Sequence, residues 1–330
     1  MNVRRRHISA VALTAVAALG FGTLTACSSD SAAAGDTGTF DVVASFYPMA
    51  FLAERIGGEH VHVTSLTQPG QEPHDLEISA RQTAQLEEAD AALYLKGLQP
   101  SVDEAIGQSP IATKIDAAEL TALEEHGTEA GHGEEHGEGH EDEHSHEDEH
   151  GHDHDHEGGD PHIWLDPVKY AEVAEGVGKA FQKADPDHAA DYRKNTATLV
   201  KDLEALDEKF RTGLANRTSD VFVTTHAAFG YLAERYGLTE EAISGLDPDT
   251  EPSGARVKEL QKIAKDDGVT TVFYETLVSD KTAKTLAGDT GLKTDVLDPV
   301  EGITDHSRGE DYFQVMEANL TALRTALGAR

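Results

Sequence analysis

Residues 40–66, FDVVASFYPMAFLAERIGGEHVHVTSL, decide the fold class of this 330-residue chain. The apolar run at 40–46 predicts a strand, and residues 48–56 predict a helix that the glycine pair 57–58 ends. Residues 60–66 alternate between apolar and polar side chains, which predicts a second strand. A strand, a helix and a strand in this order predict two parallel strands joined by a right-handed crossover.

The same alternation continues along the chain. Further strands are predicted at 91–95, 112–117, 221–225, 242–245, 270–274 and 294–297, and further helices at 79–89, 167–184, 228–236, 254–267, 280–288 and 311–328. A long helix at about 187–214 carries an apolar stripe at helical spacing, formed by Tyr192, Leu199, Leu203, Leu206, Phe210 and Leu214. The sequence therefore predicts an α/β protein with two lobes, each a parallel sheet flanked by helices, joined by one long, rigid helix.

The first residues predict an exported lipoprotein. Three arginines at 4–6 precede an apolar stretch at 8–24, and Leu-Thr-Ala at 24–26 precedes Cys27 as in a lipobox. Cys27 is the only cysteine, which excludes an intramolecular disulfide and a thiolate zinc site, and it is the predicted lipid attachment point. We expect the mature protein on the extracytoplasmic face of a bacterial cell membrane.

These patterns divide the chain into five segments. They are a signal peptide at 1–26, a flexible tether at 27–39, an N-terminal lobe at 40–184 with a disordered His-rich acidic loop at about 121–159, a linking helix at 185–215 and a C-terminal lobe at 216–330. The formal net charge of −34 argues against a nucleic-acid partner and favours attraction of cations.

The predicted loop is rich in histidine and almost free of apolar side chains. Its ten histidines are His126, His132, His136, His140, His144, His146, His150, His152, His154 and His156, interleaved with acidic residues. Such a composition cannot bury a core, and neutral imidazole is the commonest protein ligand for zinc-like ions. We interpret the loop as a set of auxiliary weak metal sites. The alternative is an acidic loop that only increases solubility.

Four residues elsewhere share one topological position. His74, His162, His226 and Glu301 each lie at a predicted strand-to-helix junction, two from each half of the chain. Ligands of parallel sheets lie beyond the carboxyl ends of strands, and three imidazoles with one carboxylate make a tetrahedral zinc site. A single loop histidine is more often an ordinary surface residue. The prediction therefore depends on the shared position of the four.

Five segments resemble one known family. They are SFYPMAFLAERIGGEHVHVTSLTQPGQEPHDLEIS at 45–79, DPHIWLDP at 160–167, FVTTHAAFGYLAERYGL at 222–238, EPS at 251–253 and VLDPVEG at 296–302. The chain is similar in these segments to the zinc-binding lipoproteins of metal-uptake ABC transporters, the ZnuA/AdcA-like substrate-binding proteins. The resemblance implies a monomer that binds Zn(II) through His74, His162 and His226, with an ABC permease and its ATPase as partners.

Two features of the proposed ligand set indicate which metal the site prefers. The manganese-binding branch of the family places a carboxylate where this chain has His226, and nitrogen-rich sites favour zinc. The fourth ligand has three alternatives, of which we favour Glu301. Asp305 corresponds to the aspartate of the manganese branch, and some members of the family use water.

Neighbouring carboxylates orient metal-binding imidazoles, and Asp75, Asp160, Asp166 and Glu251 are candidates for this role. No catalytic role is expected, because four protein ligands leave zinc no open position for water. The alternatives are a manganese-selective member of the same family, a zinc-dependent hydrolase, in which water is the fourth ligand, and a surface adhesin.

Overall fold

The computed structural model describes residues 39–127 and 159–330. The predicted signal peptide, Cys27 and the nine predicted loop histidines from His132 to His156 lie outside the described residues. His126 lies within them.

The strands of the described residues form two parallel sheets. The first has the order β2-β1-β3-β4 and the second the order β6-β5-β7-β8. Their bounds are β1 Phe40–Ala44, β2 Val61–Ser65, β3 Ala91–Tyr94, β4 Thr113–Asp116, β5 Val221–Thr224, β6 Thr239–Ala242, β7 Thr271–Tyr274 and β8 Lys293–Val296. Every pairing is parallel, so the predicted α/β class is confirmed.

Helices connect these strands. They are α1 Tyr47–Gly57, α2 Ala80–Glu88, α3 Pro100–Gln108, α4 Pro167–Ala184, α5 Ala189–Gly213, α6 Gly230–Tyr236, α7 Gly254–Asp266, α8 Lys281–Thr290 and α9 Tyr312–Ala326. Helix α2 begins as predicted, because Ser79 and Gln82 form a reciprocal capping box. Helix α3 was not predicted. Only Val102 and Ile106 of its nine residues are buried, which is too few for a periodic apolar pattern.

The predicted long helix corresponds to α5, whose 25 residues extend over about 38 Å at ~1.5 Å per residue. All six residues of its predicted apolar stripe are buried: Tyr192, Leu199, Leu203, Leu206, Phe210 and Leu214. It packs along α4, and also touches α1 from the first half and α9 from the second. The helix therefore ties the two halves together. Among residues 39–127 and 159–330, none of the helices combines the length and the hydrophobicity that a membrane span requires.

The predicted bounds of the strand at 242–245 are wrong. The strand that pairs with β5 is β6, and it begins three residues earlier at Thr239. Its first three residues are polar and lie at the edge of the sheet, whereas Ala242 and the following Ile243 are buried in the core. The apolar pattern misplaced the strand because only its last residue, Ala242, is apolar and the buried residue that follows, Ile243, lies beyond its end.

Direct hydrogen bonds also join the halves beside the strand ends. The Trp164 indole Nε1 donates to the Pro299 carbonyl oxygen at 2.6 Å, and the Tyr312 hydroxyl donates to the Trp164 carbonyl oxygen at 2.6 Å. Arg235 donates two hydrogen bonds to Asp166 Oδ2, at 2.8 and 2.6 Å. These contacts fix the carboxyl ends of both sheets near one another.

Candidate metal site

His74 lies in an irregular segment between β2 and α2. Backbone hydrogen bonds hold this segment in place: Leu76 N donates to Pro73 O at 3.2 Å, and the Gln99 side chain donates to the same oxygen at 3.1 Å. The His74 side chain is 5% exposed. The imidazole is therefore buried, although no helix or strand carries it.

His162 lies at the start of a short 3-10 turn, Ile163–Leu165, that leads into α4. Its Nδ1 lies 2.7 Å from Asp160 Oδ1, and its backbone N–H donates to the same oxygen at 2.9 Å. Both side chains are fully buried. Of the four predicted orienting carboxylates, Asp160 alone contacts a site imidazole among the described residues.

His226 follows β5 by two residues, and its orienting partner is Glu275. The His226 Nδ1 lies 2.7 Å from Glu275 Oε1, to which the Thr225 hydroxyl also donates. Glu275 directly follows β7 and was not predicted. Its position at the carboxyl end of a central strand could have identified it, because His226 and Glu301 also follow the ends of strands.

Glu301 is positioned by an unusual backbone turn after β8. Val300, the residue before it, has a φ of 59°, in the left-handed region that β-branched residues avoid. Asp298 Oδ1 accepts a hydrogen bond from Val300 N at 2.8 Å, and the Pro299 oxygen accepts the one from Trp164. These contacts hold the strained turn, which directs Glu301 into the site.

The four predicted ligand residues come together. Their ligand atoms all lie within 4.8 Å of one another, and all four residues are buried. Glu301 Oε1 lies 3.3 Å from His74 Nε2, 3.5 Å from His162 Nε2 and 3.7 Å from His226 Nε2, and the last two nitrogens are 3.4 Å apart. Bonds of about 2.0–2.1 Å at tetrahedral angles place zinc ligands about 3.3 Å from each other. The spacing therefore matches a tetrahedral zinc site.

The proton positions favour a cation at this point. An ionised carboxylate only accepts hydrogen bonds, so the Nδ1 atoms of His162 and His226 carry the protons that Asp160 and Glu275 accept. In a neutral imidazole the Nε2 atom is then an acceptor. Two Nε2 lone pairs and the Glu301 carboxylate consequently face one another, and a shared proton or a metal ion relieves their mutual repulsion.

The pKa values reflect this arrangement. Burial opposes charge on His162, but the carboxylates of Asp160 and Glu301 outweigh it and raise the pKa to about 10. The pKa of His226 is also raised, against burial, by Glu275. Burial favours the neutral form of Glu301, yet His162 and His74 hold its pKa well below the usual range. The site without metal therefore binds protons that a metal ion must displace.

The remaining candidates lie elsewhere. Asp305 is exposed and does not belong to the buried cluster. Asp75 and Glu251 are also exposed. Asp166 caps α4 by accepting from Val168 N at 2.9 Å and pairs with Arg235, so its contacts are structural. His126 is separate from the buried cluster and contacts the far side of Asp160, where its Nδ1 lies 3.1 Å from Oδ2.

The comparison with protein families gives one match over nearly all of the described residues. Residues 42–326 match the family model described as "Zinc-uptake complex component A periplasmic". This range contains all four residues of the buried cluster and both sheets except the first two residues of β1.

Two curated relatives are similar in sequence. The zinc-binding lipoprotein AdcA of Streptococcus pneumoniae is 35% identical over 307 residues, which cover 91% of this chain and 58% of AdcA. The chain therefore spans little more than half the length of that relative. The high-affinity zinc uptake system protein ZnuA of Bacillus subtilis is 35% identical over 292 residues, which cover 87% of both proteins.

A solved structure has the same fold. The Zn(II)-bound ZnuA-like domain of Streptococcus pneumoniae AdcA matches with a TM-score of 0.69 and 31% identity. The match covers 88% of this chain and 99% of that domain.

Proposed function

Because the chain belongs to the family of periplasmic zinc-uptake complex components, we propose that it captures Zn(II) between its two lobes and delivers it to an ABC-type import permease. The metal is cargo in this proposal and not a cofactor, and the protein is a binding protein without catalytic activity. The lobes are the segments 40–184 and 216–330, joined by the linking segment 185–215.

The observation that carries the proposal is the convergence of His74, His162, His226 and Glu301. These residues supply three nitrogens and one oxygen, all buried, at the spacing of a tetrahedral zinc site. Manganese prefers more oxygen ligands, so the nitrogen-rich set supports zinc over manganese. Four protein ligands occupy every position of the tetrahedron, which supports binding over zinc-dependent hydrolysis.

The location and the partners rest on the family. The relatives are named a zinc-binding lipoprotein and a zinc uptake system protein. We propose that lipidated Cys27 holds this chain, as a monomer, at the extracytoplasmic face of the membrane, where a permease and its ATPase take up the ion. Replacement Cys27→Ala should release the protein from the membrane fraction and leave zinc binding unchanged.

Competition titration of the metal-free protein tests the binding proposal. One zinc ion per chain should bind tightly, with elemental analysis giving the occupancy, and manganese at equal free concentration should not displace it. His162→Ala should abolish the tight phase, whereas His62→Ala, which removes an exposed histidine on β2, should retain it. Equal occupancy by manganese and zinc would reject the zinc assignment.

Transport is tested separately in cells. Deleting the gene should impair growth in zinc-depleted medium, and the wild-type gene should restore growth where the His162→Ala gene does not. Rescue by His162→Ala would show that the cleft residues do not serve zinc uptake.

A further inference from the structure

A second group of possible metal ligands lies where the His-rich segment leaves the fold. Glu124, His126 and Glu234 offer ligand atoms that all lie within 4.8 Å of one another. His126 Nε2 is 2.9 Å from Glu234 Oε2 and 4.0 Å from Glu124 Oε2. Glu234 belongs to α6, 108 residues after His126. The fold, and not the repetitive sequence, therefore brings this group together.

The group is connected to the buried cluster through Asp160. Asp160 is fully buried, and its two oxygens serve two imidazoles: Oδ1 lies 2.7 Å from His162 Nδ1, and Oδ2 lies 3.1 Å from His126 Nδ1. With both Nδ1 atoms donating to the carboxylate, the Nε2 atom of each neutral imidazole keeps a lone pair, and that of His126 faces Glu234 Oε2 at 2.9 Å. A carboxylate behind the imidazole is the usual arrangement of metal-binding histidines.

Backbone contacts build this corner. Asp160 N donates to Glu124 O at 2.8 Å, the Tyr231 hydroxyl donates to Asp160 O at 2.7 Å, and Glu124 N donates to the Tyr231 oxygen at 2.9 Å. A Cβ atom at Gly230 would lie 2.4 Å from the His126 Cβ. Only glycine at 230 lets the imidazole lie against α6, so the position of His126 is a defined feature of the fold.

We propose that Glu124, His126 and Glu234 form a second, weaker site for a zinc-like divalent ion, linked through Asp160 to the cleft site. One nitrogen and two carboxylates suit such an ion, with water completing the coordination. The Glu234 side chain is 62% exposed and that of His126 is 15% exposed, so an ion can reach the site from solvent. Lys169 contacts Glu124 Oε1, which leaves the other oxygen to face His126.

The competing explanation is an ion pair without metal. The hydrogen bond to Asp160, with a further contribution from Glu234, raises the pKa of His126 to about 8 although burial opposes it. A protonated His126 held between two carboxylates would fasten the segment to α6 and bind nothing. The two explanations differ in what happens when the carboxylate on α6 is neutralised.

The test is calorimetric titration of the full mature chain with zinc after one equivalent has filled the cleft. Glu234→Gln should weaken the strongest remaining zinc site at least about tenfold, because it removes one of three ligands. Glu204→Gln, the same change at an exposed position of α5, should leave that site within about twofold. His126→Gln should match Glu234→Gln, and His132→Gln, which also removes one imidazole, should not.

Equal titrations of Glu234→Gln and Glu204→Gln would overturn the second site. Unchanged zinc binding with a lower melting temperature of the metal-free protein would identify the ion pair alone. The first equivalent is an internal control in Glu234→Gln, because this change leaves the four cleft residues and Asp160 intact. If the wild-type protein failed to bind the first equivalent of zinc tightly, the proposed function would be wrong, but the second site would not be. Asp160→Asn should weaken both sites.

Discussion

The two halves of the molecule share a strand order but provide their metal-site residues differently. In the second half, His226 lies two residues beyond a central strand and Glu275 holds its ring. In the first half, Asp160 holds His162 in the same way, but His74 lies nine residues beyond β2 in an irregular segment, and among the described residues no carboxylate contacts its Nδ1. The shared sheet topology therefore places the metal-site residues at the carboxyl ends of the strands, whereas local contacts decide how firmly each imidazole is held.

The largest expected effect is loss of a firmly held imidazole. His226→Ala should weaken zinc binding by about 100-fold or more, because a structural zinc site of ~10–16 kcal/mol divided among four ligands gives each roughly 3 kcal/mol. His74→Ala should cost less, since its less constrained ring loses more freedom on binding. Competition titration measures both. A larger loss in His74→Ala than in His226→Ala would invert the comparison.

The next effect concerns the carboxylates that hold the rings. Asp160→Asn and Glu275→Gln should each weaken zinc binding about 10- to 100-fold, since an amide is a poorer acceptor for the Nδ1 proton and supports a less basic Nε2. Glu251→Gln is the matched control, because Glu251 is exposed. If all three variants bind zinc equally, the carboxylates serve folding only.

Zinc affinity should also depend on pH over a wider range than free imidazole would give. The pKa of His162 is raised to about 10 and that of His226 is also raised, so zinc must displace protons at neutral pH. Where zinc must displace one proton, its apparent affinity rises about tenfold for each unit that the pH increases toward the imidazole pKa. Affinity should therefore rise from pH 6 to pH 9. A plateau above about pH 6.5, the ordinary imidazole value, would contradict the raised pKa values.

The smallest expected effect on zinc affinity distinguishes the two residues that are candidates for the fourth ligand. Asp305→Asn should leave zinc affinity within about twofold, because the side chain is exposed and outside the buried cluster. Glu301→Gln should weaken it at least about tenfold, since an amide is a poorer zinc ligand than a carboxylate. Equal losses in the two variants would reopen the choice of ligand.

The sequence predicted the sheets better than the contacts within the site. Apolar runs located β1 and β5 because central parallel strands are buried on both faces. The same criterion failed for the polar edge strand β6 and for α3, whose burial is slight. The four predicted ligand residues come together in space, and their binding of zinc stays a prediction.

The orienting carboxylates were harder to predict. Asp160 is two residues from His162, so a local motif contains both. Glu275 is 49 residues from His226, and their contact exists only because β5 and β7 are neighbours in the sheet. The role of Asp160 in contacting His126 likewise depends on the way α6 packs against the segment before the loop. Long-range pairs of this kind follow from sheet order, which residue patterns alone leave open.

Trp164 gives the protein an optical property. It is the only tryptophan in the chain, its ring centre lies 5.2 Å from that of His162, and its indole N–H donates across the halves to Pro299. The tryptophan fluorescence therefore comes from one side chain, which lies between the metal site and the second half of the chain. We expect its emission to change as zinc binds beside it, so unmodified protein can report the rates of capture and release in a stopped-flow spectrometer.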